Sequence, residues 1–142
     1  MRPILELLKK RDATTYTLNP GDSVFVALQR LADHNVGAMM VMDNGKLVGV
    51  FSERDYTRKI ALAGRSSKDT HVADIMTAQV LTVSPKSRTR ECMALMSEKN
   101  IRHLPVVDGD TVMGMISIRD LMNDIIADHE NTISQLESYI NS

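Results

Sequence analysis

The sequence predicts an α+β protein: two β-α-β-β-α repeats packed about a pseudo-two-fold axis, with flanking N- and C-terminal helices. Three observations predict it. First, residues 17–56 align with residues 82–121 without a gap, and nine of these 40 positions are identical. Random pairing of average compositions gives about 2 or 3 matches. The identical pairs are Thr17/Thr82, Pro20/Pro85, Asn35/Asn100, Val41/Val106, Asp43/Asp108, Gly49/Gly114, Ser52/Ser117, Arg54/Arg119 and Asp55/Asp120, and many other positions exchange apolar residues, as in Leu28/Met93, Leu31/Met96 and Phe51/Ile116. Second, each copy has a stretch of apolar residues at helical spacing. Third, each copy has two short apolar runs around a turn.

In chain order, Ile4, Leu5, Leu7 and Leu8 give a short amphipathic helix. A lead-in strand is expected near Thr15–Leu18, with its counterpart near Val80–Val83. Pro20-Gly21-Asp22-Ser23 reads as a turn and helix start, followed by Val24, Ala27, Leu28 and Leu31; the second copy places Thr89, Cys92, Met93 and Met96 there. Runs Ala38–Met42 and Leu47–Phe51 flank Asp43-Asn44-Gly45, a hairpin signal that returns as Leu104–Val107 and Val112–Ile116 around Asp108-Gly109-Asp110. A helix is expected after Ser52 and another after Ser117. The resulting division is an N-terminal helix at 1–13, a first repeat at 14–63, a linker at 64–71, a second repeat at 72–126 and a C-terminal helical extension at 127–142. The linker holds Gly64-Arg65-Ser66-Ser67-Lys68-Asp69-Thr70. In the last helix Met122, Ile125, Ile126, His129, Ile133, Leu136 and Ile140 form a stripe longer than a small domain needs. That makes it a candidate homodimer contact, against the alternative of folding back on its own domain.

Composition narrows the function. Hydrophobic residues make up 43% and charged residues 25%, ordinary values for a globular chain. Aromatic residues are only 4%, with no Trp and ten Met, so no aromatic base-stacking surface is expected. Lys and Arg number 17 against 18 Asp and Glu, so no overall positive field favours nucleic acid. The single Cys92 allows neither an intrachain disulfide nor a cysteine metal cluster. Charge begins too early in Met1-Arg2-Pro3-Ile4-Leu5-Glu6 for a signal peptide, and no apolar run approaches the roughly 18 residues that span a membrane. A cytoplasmic location without membrane attachment is expected.

The feature richest in chemistry occurs twice, as Gly49-Val50-Phe51-Ser52-Glu53-Arg54-Asp55 and Gly114-Met115-Ile116-Ser117-Ile118-Arg119-Asp120. Each lies where a strand hands over to a helix, whose first N–H groups and partial positive charge suit phosphate. The Asp carboxylate can accept from a pair of ribose hydroxyls, and the Arg can pair with phosphate. The plainer reading is a capping box, in which Ser caps the helix and the acid bonds back. Both copies, however, carry Asp where such a box favours Glu or Gln, and both add an Arg that capping does not call for. A second constellation, Arg102-His103-Leu104-Pro105, enters the second hairpin where the first copy has Gly37-Ala38-Met39-Met40. Two basic groups there could bind phosphate, and Pro105 marks an edge or bend because it donates no ladder hydrogen bond. The two sites are therefore expected to be unequal.

With the repeat, the Gly-hydrophobic-x-Ser-x-x-Asp pattern and the hydrophobic-Pro step in hand, the chain resembles tandem CBS domains, the Bateman module, from about Thr15 to Ile126. It is most similar to stand-alone CBS pairs of bacteria and plant organelles, sharing His34-Asn35-Val36-Gly37-Ala38, Glu53-Arg54-Asp55-Tyr56 and Gly64-Arg65-Ser66-Ser67-Lys68. The resemblance implies adenosine ligands in clefts between repeats: AMP, ADP, ATP or NAD(H) and, ranked below these, S-adenosylmethionine. It implies that Asp55 and Asp120 hold ribose hydroxyls, with Ser52, Arg54, Ser117 and Arg119 near ribose and phosphate. Thr82, Val83 and the Leu104-Pro105 backbone would border adenine, and Arg102 and His103 would reach phosphate. Met39-Met40 departs from the hydrophobic-Pro step. No phosphate loop, dinucleotide fingerprint, zinc-protease motif or nucleophile elbow occurs, and the four His lack metal-ligand spacing, so no enzyme and no catalytic cofactor are expected. The expected function is a nucleotide sensor acting as a homodimer on an unidentified regulated protein. The alternatives are a structural adaptor without nucleotide and a modulator of a redox partner of the thioredoxin type.

Overall fold

The computed structural model describes residues 3–10 and 15–141; residues 1, 2 and 11–13 of the expected N-terminal helix, Thr14, and Ser142 of the C-terminal extension lie outside the described residues. The order is α1 (Ile4–Lys10), β1 (Thr17–Leu18), α2 (Val24–His34), β2 (Ala38–Asp43), β3 (Lys46–Ser52), α3 (Glu53–Tyr56) running into a π-helical turn at Thr57–Ala61, α4 (Val72–Ile75), α5 (Thr89–Lys99), β4 (His103–Asp108), β5 (Thr111–Ser117) and α6 (Ile118–Asn141). The mixed fold of two repeats with flanking helices is as expected.

Local chemistry sets the boundaries. Ser23, in extended conformation, caps α2 by accepting from the Val26 N–H at 3.1 Å. Both Asn35 and Asn100 end their helices in the left-handed region, with φ of 53° and 54°. That explains an identical pair in the repeat, because Asn tolerates this conformation and most side chains do not. Asn44 and Gly45 both have positive φ, as a two-residue hairpin turn requires. The hairpins share one irregularity, a register shift at Val41/Met42 and again at Val106/Val107.

The chain divides into two compact units, Thr14–Leu81 in one and Met1–Ala13 with Thr82–Ser142 in the other. The first has its core in Leu18, Val24, Ala27, Leu31, Met39, Val41, Phe51, Ile60, Val72 and Ile75. The second is built on Ile4, Cys92, Met96, Leu104, Val106, Ile116 and Leu121. The short helices are thus exchanged: α1 precedes the first repeat yet packs in the second unit, where Ile4 N–H donates to Ser87 O at 2.8 Å. Conversely α4, at the start of the second repeat, sends Val72 and Ile75 into the first core. Residues between them are tied down as well, since Phe25 and Val24 N–H groups donate to Ser67 O and Thr70 O, both at 2.9 Å.

Both expected lead-in strands are shorter than anticipated, the second more so. In the first unit β1 pairs in parallel with β2 at Thr17↔Met40 and Leu18↔Val41. In the second, the expected strand near Val80–Val83 is reduced to a single bridge, Val83↔Val106. Pro105 explains the difference. A strand residue directs its N–H and C=O to the same side, and Pro105 O already accepts from Val83 N–H at 3.0 Å. The N–H that would extend this ladder to residue 81 is the one proline lacks.

Candidate functional site

The two Ser-x-Arg-Asp turns fold alike. In the first unit Ser52 N–H and Oγ–H donate to Asp55 Oδ2 at 3.0 and 3.1 Å, and Asp55 N–H donates to Ser52 Oγ at 3.2 Å. In the second, Ser117 N–H and Oγ–H donate to Asp120 Oδ2 at 2.9 and 3.1 Å, and Asp120 N–H donates to Ser117 Oγ at 3.3 Å. Both are closed capping boxes despite having Asp in the last position, because a shorter side chain still reaches back when the Ser hydroxyl completes the ring. The plainer sequence reading is therefore realised in both copies, and it leaves each carboxylate anchored at a helix mouth. Arg54 and Arg119 are exposed on the first turns.

In the second unit the fold gathers most of the sequence-identified residues at one end of the hairpin. His103 is paired with Ser117 across β4 and β5, and Ile118 N–H donates to Arg102 O at 2.8 Å. The equivalent bond in the first unit runs from Glu53 N–H to Gly37 O at 3.0 Å. Val83 lies along the Pro105 edge of β4, and Thr82 beside it is exposed. Leu104 and Pro105 are buried, so what they offer a ligand is backbone and edge. Arg102, His103, Ser117, Arg119 and Asp120 thus share a helix mouth and strand entrance, whereas Ser52, Arg54 and Asp55 have no basic residue at the matching entrance, which is Gly37-Ala38.

Two partners of Asp55 escaped the sequence reading. Lys59 Nζ lies 3.2 Å from Asp55 Oδ1 and donates to Ile75 O at 2.8 Å. Thr77 Oγ–H donates to the same Oδ1 at 3.3 Å. Asp55 is buried at 8% exposure, and these contacts compensate its charge. Lys59 sits in the π-helical turn, four residues after the acid, a spacing that signals an ion pair on a helix. Thr77 had no such signal, because a pairing far along the chain places it there: Val50 N–H donates to Thr77 O at 3.0 Å and Thr77 N–H to Val50 O at 2.9 Å. Gly49 permits that approach, since a Cβ there would stand 2.5 Å from Met76 Sδ and 3.1 Å from Thr77 O. In the second copy the residue aligned with Lys59 is Asp124, buried at 4% and accepting from Thr89 Oγ–H at 2.8 Å.

The remaining chemistry is sparse. Burial, reinforced by the neighbouring Glu91 carboxylate, pushes the Cys92 thiol up from 9.0 to about 11, so it stays protonated at neutral pH and acts as a core filler. A concavity of about 420 Å³ on α2, lined by Leu28, Leu31, Ala32, Asn35, Val36, Gly37 and Glu53, touches none of Ser52, Arg54 or Asp55. Among the described residues no cluster of three or more His, Cys, Asp or Glu could hold a metal, and no helix is long and apolar enough to cross a membrane.

Comparison with known proteins agrees with this architecture. The CBS domain profile matches residues 8–62 and 72–127. A mitochondrial CBS domain-containing protein of Arabidopsis thaliana, CBSX3, is 38% identical over 137 residues, covering 93% of this chain and 66% of the plant protein, so this chain spans just under two thirds of that relative. A protein with CBS domains from Burkholderia ambifaria superposes with a TM-score of 0.85 at 45% identity, covering 88% of this chain and 94% of the other. The CBS domain pair of protein MJ0100, solved in complex with 5′-methylthioadenosine and S-adenosyl-L-methionine, superposes with a TM-score of 0.77 at 25% identity, covering 89% of this chain and 98% of the other. With both repeats matched and the Ser-x-Arg-Asp turn folded alike in each, the chain belongs to the CBS domain family.

Proposed function

We propose that this chain is a regulatory sensor that binds an adenine nucleotide at the mouths of α3 and α6 and, as a homodimer, transmits the bound state to a partner protein. The observation that carries the reading is the duplicated turn that fixes a carboxylate, a hydroxyl and an arginine at each helix N-terminus. A carboxylate so placed accepts from the two ribose hydroxyls, and helix N–H groups with Arg favour phosphate. MJ0100, with its adenosine ligands, supports this ligand class. Asp120, Ser117 and Arg119, joined by Arg102 and His103, form the better equipped site for AMP, ADP, ATP or NAD(H), with Thr82, Val83, Leu104 and Pro105 toward the base. Asp55, Ser52 and Arg54 form the second, for which a ligand with fewer phosphates is suited. The role is regulatory and not catalytic, and transmission requires the ligand to bind one conformation better than the other.

A structural adaptor is the competing reading, favoured by the fact that both Asp side chains already serve as helix caps. A thermal-shift panel of AMP, ADP, ATP, NAD⁺, NADH and S-adenosylmethionine separates the two. Ligand at 100 times its dissociation constant stabilises the fold by about 2.7 kcal/mol. The expected result is a shift with at least one adenylate, reduced by Asp120→Asn and to a smaller degree by Asp55→Asn. No shift at millimolar ligand, with folded protein free of carried-over nucleotide, leaves the adaptor reading in place.

A further inference from the structure

Helix α6 runs from Ile118 to Asn141, 24 residues, or about 36 Å at 1.5 Å per residue. Its first two turns belong to the second unit, with Leu121 and Asp124 buried. From His129 to Ile140 every side chain is exposed. Most helical stability in proteins comes from packing an apolar face, and the apolar face of this segment points outward. The exposed large apolar residues on it are Met122, Ile126, Ile133, Leu136, Tyr139 and Ile140, at 50, 50, 54, 57, 82 and 77% exposure.

Met122, Ile126, His129, Ile133, Leu136 and Ile140 are spaced 4, 3, 4, 3 and 4 residues apart. This is the heptad alternation of a coiled coil, with Ile126, Ile133 and Ile140 at position a and Met122, His129 and Leu136 at position d. β-Branched residues at a with Leu at d select a two-stranded parallel coil. The flanking charges point the same way. Glu130 and Glu137 are the acidic residues at position e, while Ile125, Thr132 and Tyr139 occupy position g. In a parallel pair e faces g of the other strand, so each Glu meets an uncharged residue. In an antiparallel pair e faces e, and carboxylates would be brought together.

We propose that the outer part of α6 pairs with α6 of a second copy of this chain in a parallel, in-register two-stranded coiled coil. The two His129 side chains form its one polar layer, fixing the register at a cost in affinity. This assignment rests on the homodimer reading above and supplies its geometry.

The test uses the full chain, with the buried Cys92 left in place. Light scattering of the wild type at tens of micromolar gives twice the 15.8 kDa chain mass. Under mild oxidation Leu136→Cys, at position d, becomes a disulfide-linked dimer, while Ser138→Cys, at the outward position f, does not. Ile133→Glu combined with Leu136→Glu weakens association at least about 100-fold, and because these side chains are exposed in the single chain the circular dichroism of the core units is retained. His129→Leu tightens association about tenfold or more, a change a merely solvated position would not produce. A monomeric wild type overturns both the homodimer reading and the coil. A dimeric wild type without selective cross-linking at residue 136, or one indifferent to the Ile133→Glu and Leu136→Glu pair, overturns the coil alone.

Discussion

At Asp55 the Ser52 N–H and hydroxyl, the Thr77 hydroxyl and the Lys59 ammonium all converge on one carboxylate. On the proposed function, Lys59 is an internal cation beside the carboxylate that would accept from a ribose. In the second copy the residue aligned with Lys59 is an acid, Asp124. Replacing Lys59 with Met is expected to tighten adenosine-ligand binding at the first repeat several-fold in titration calorimetry, at a cost in stability because the buried Asp55 loses a compensating charge. Weakened binding instead would mean that Lys59 swings to the phosphate. Ser52, Asp55 and their partners in the second copy were legible in the sequence because duplication raised them above chance. Lys59 was hidden by the same comparison, since its aligned residue carries the opposite charge.

Among the elements, hairpins and the long helices read well from the sequence, because alternation, helical spacing and turn residues are local signals. The lead-in strands read less well, because a two-residue strand is decided by its neighbour. Pro105 is that neighbour in the second unit, and its missing N–H holds the pairing to one bridge. Pro105→Ala restores a donor at this edge. The expected result is a residue 105 amide protected from hydrogen exchange, extension of the pairing toward Leu81, and a gain of up to about 1 kcal/mol. An unprotected amide would show that something besides proline chemistry bends the chain away. The π-helical turn after Tyr56 was equally unreadable. It brings Lys59 to Asp55 while keeping Ile60 buried, two demands that periodicity does not encode together.

At the scale of the molecule, the duplication announced two units, but not which segments complete each core. Amphipathic spacing in Ile4-Leu5 and Leu7-Leu8 reports an apolar face and is silent about what covers it. The fold answers by lodging Ile4, with no exposed surface, among Cys92, Met96, Leu104 and Ile116. Ile4→Ala should therefore cost about 2–5 kcal/mol, and the loss should fall on the second unit although the change lies ahead of the first. Hydrogen exchange resolved by residue reads this directly: faster exchange confined to β2 and β3 would contradict the exchange of helices, and faster exchange in β4 and β5 is the expected outcome.

That exchange has a consequence for a chain cut in two. A nick at Gly64, where the surface is exposed, would leave one fragment owning Ile4 and the other owning Val72 and Ile75. Each fragment would hold a stopper made for the other's core. The halves would then behave as a split protein whose pieces find one another and reassemble, each finishing the fold that its counterpart could only begin.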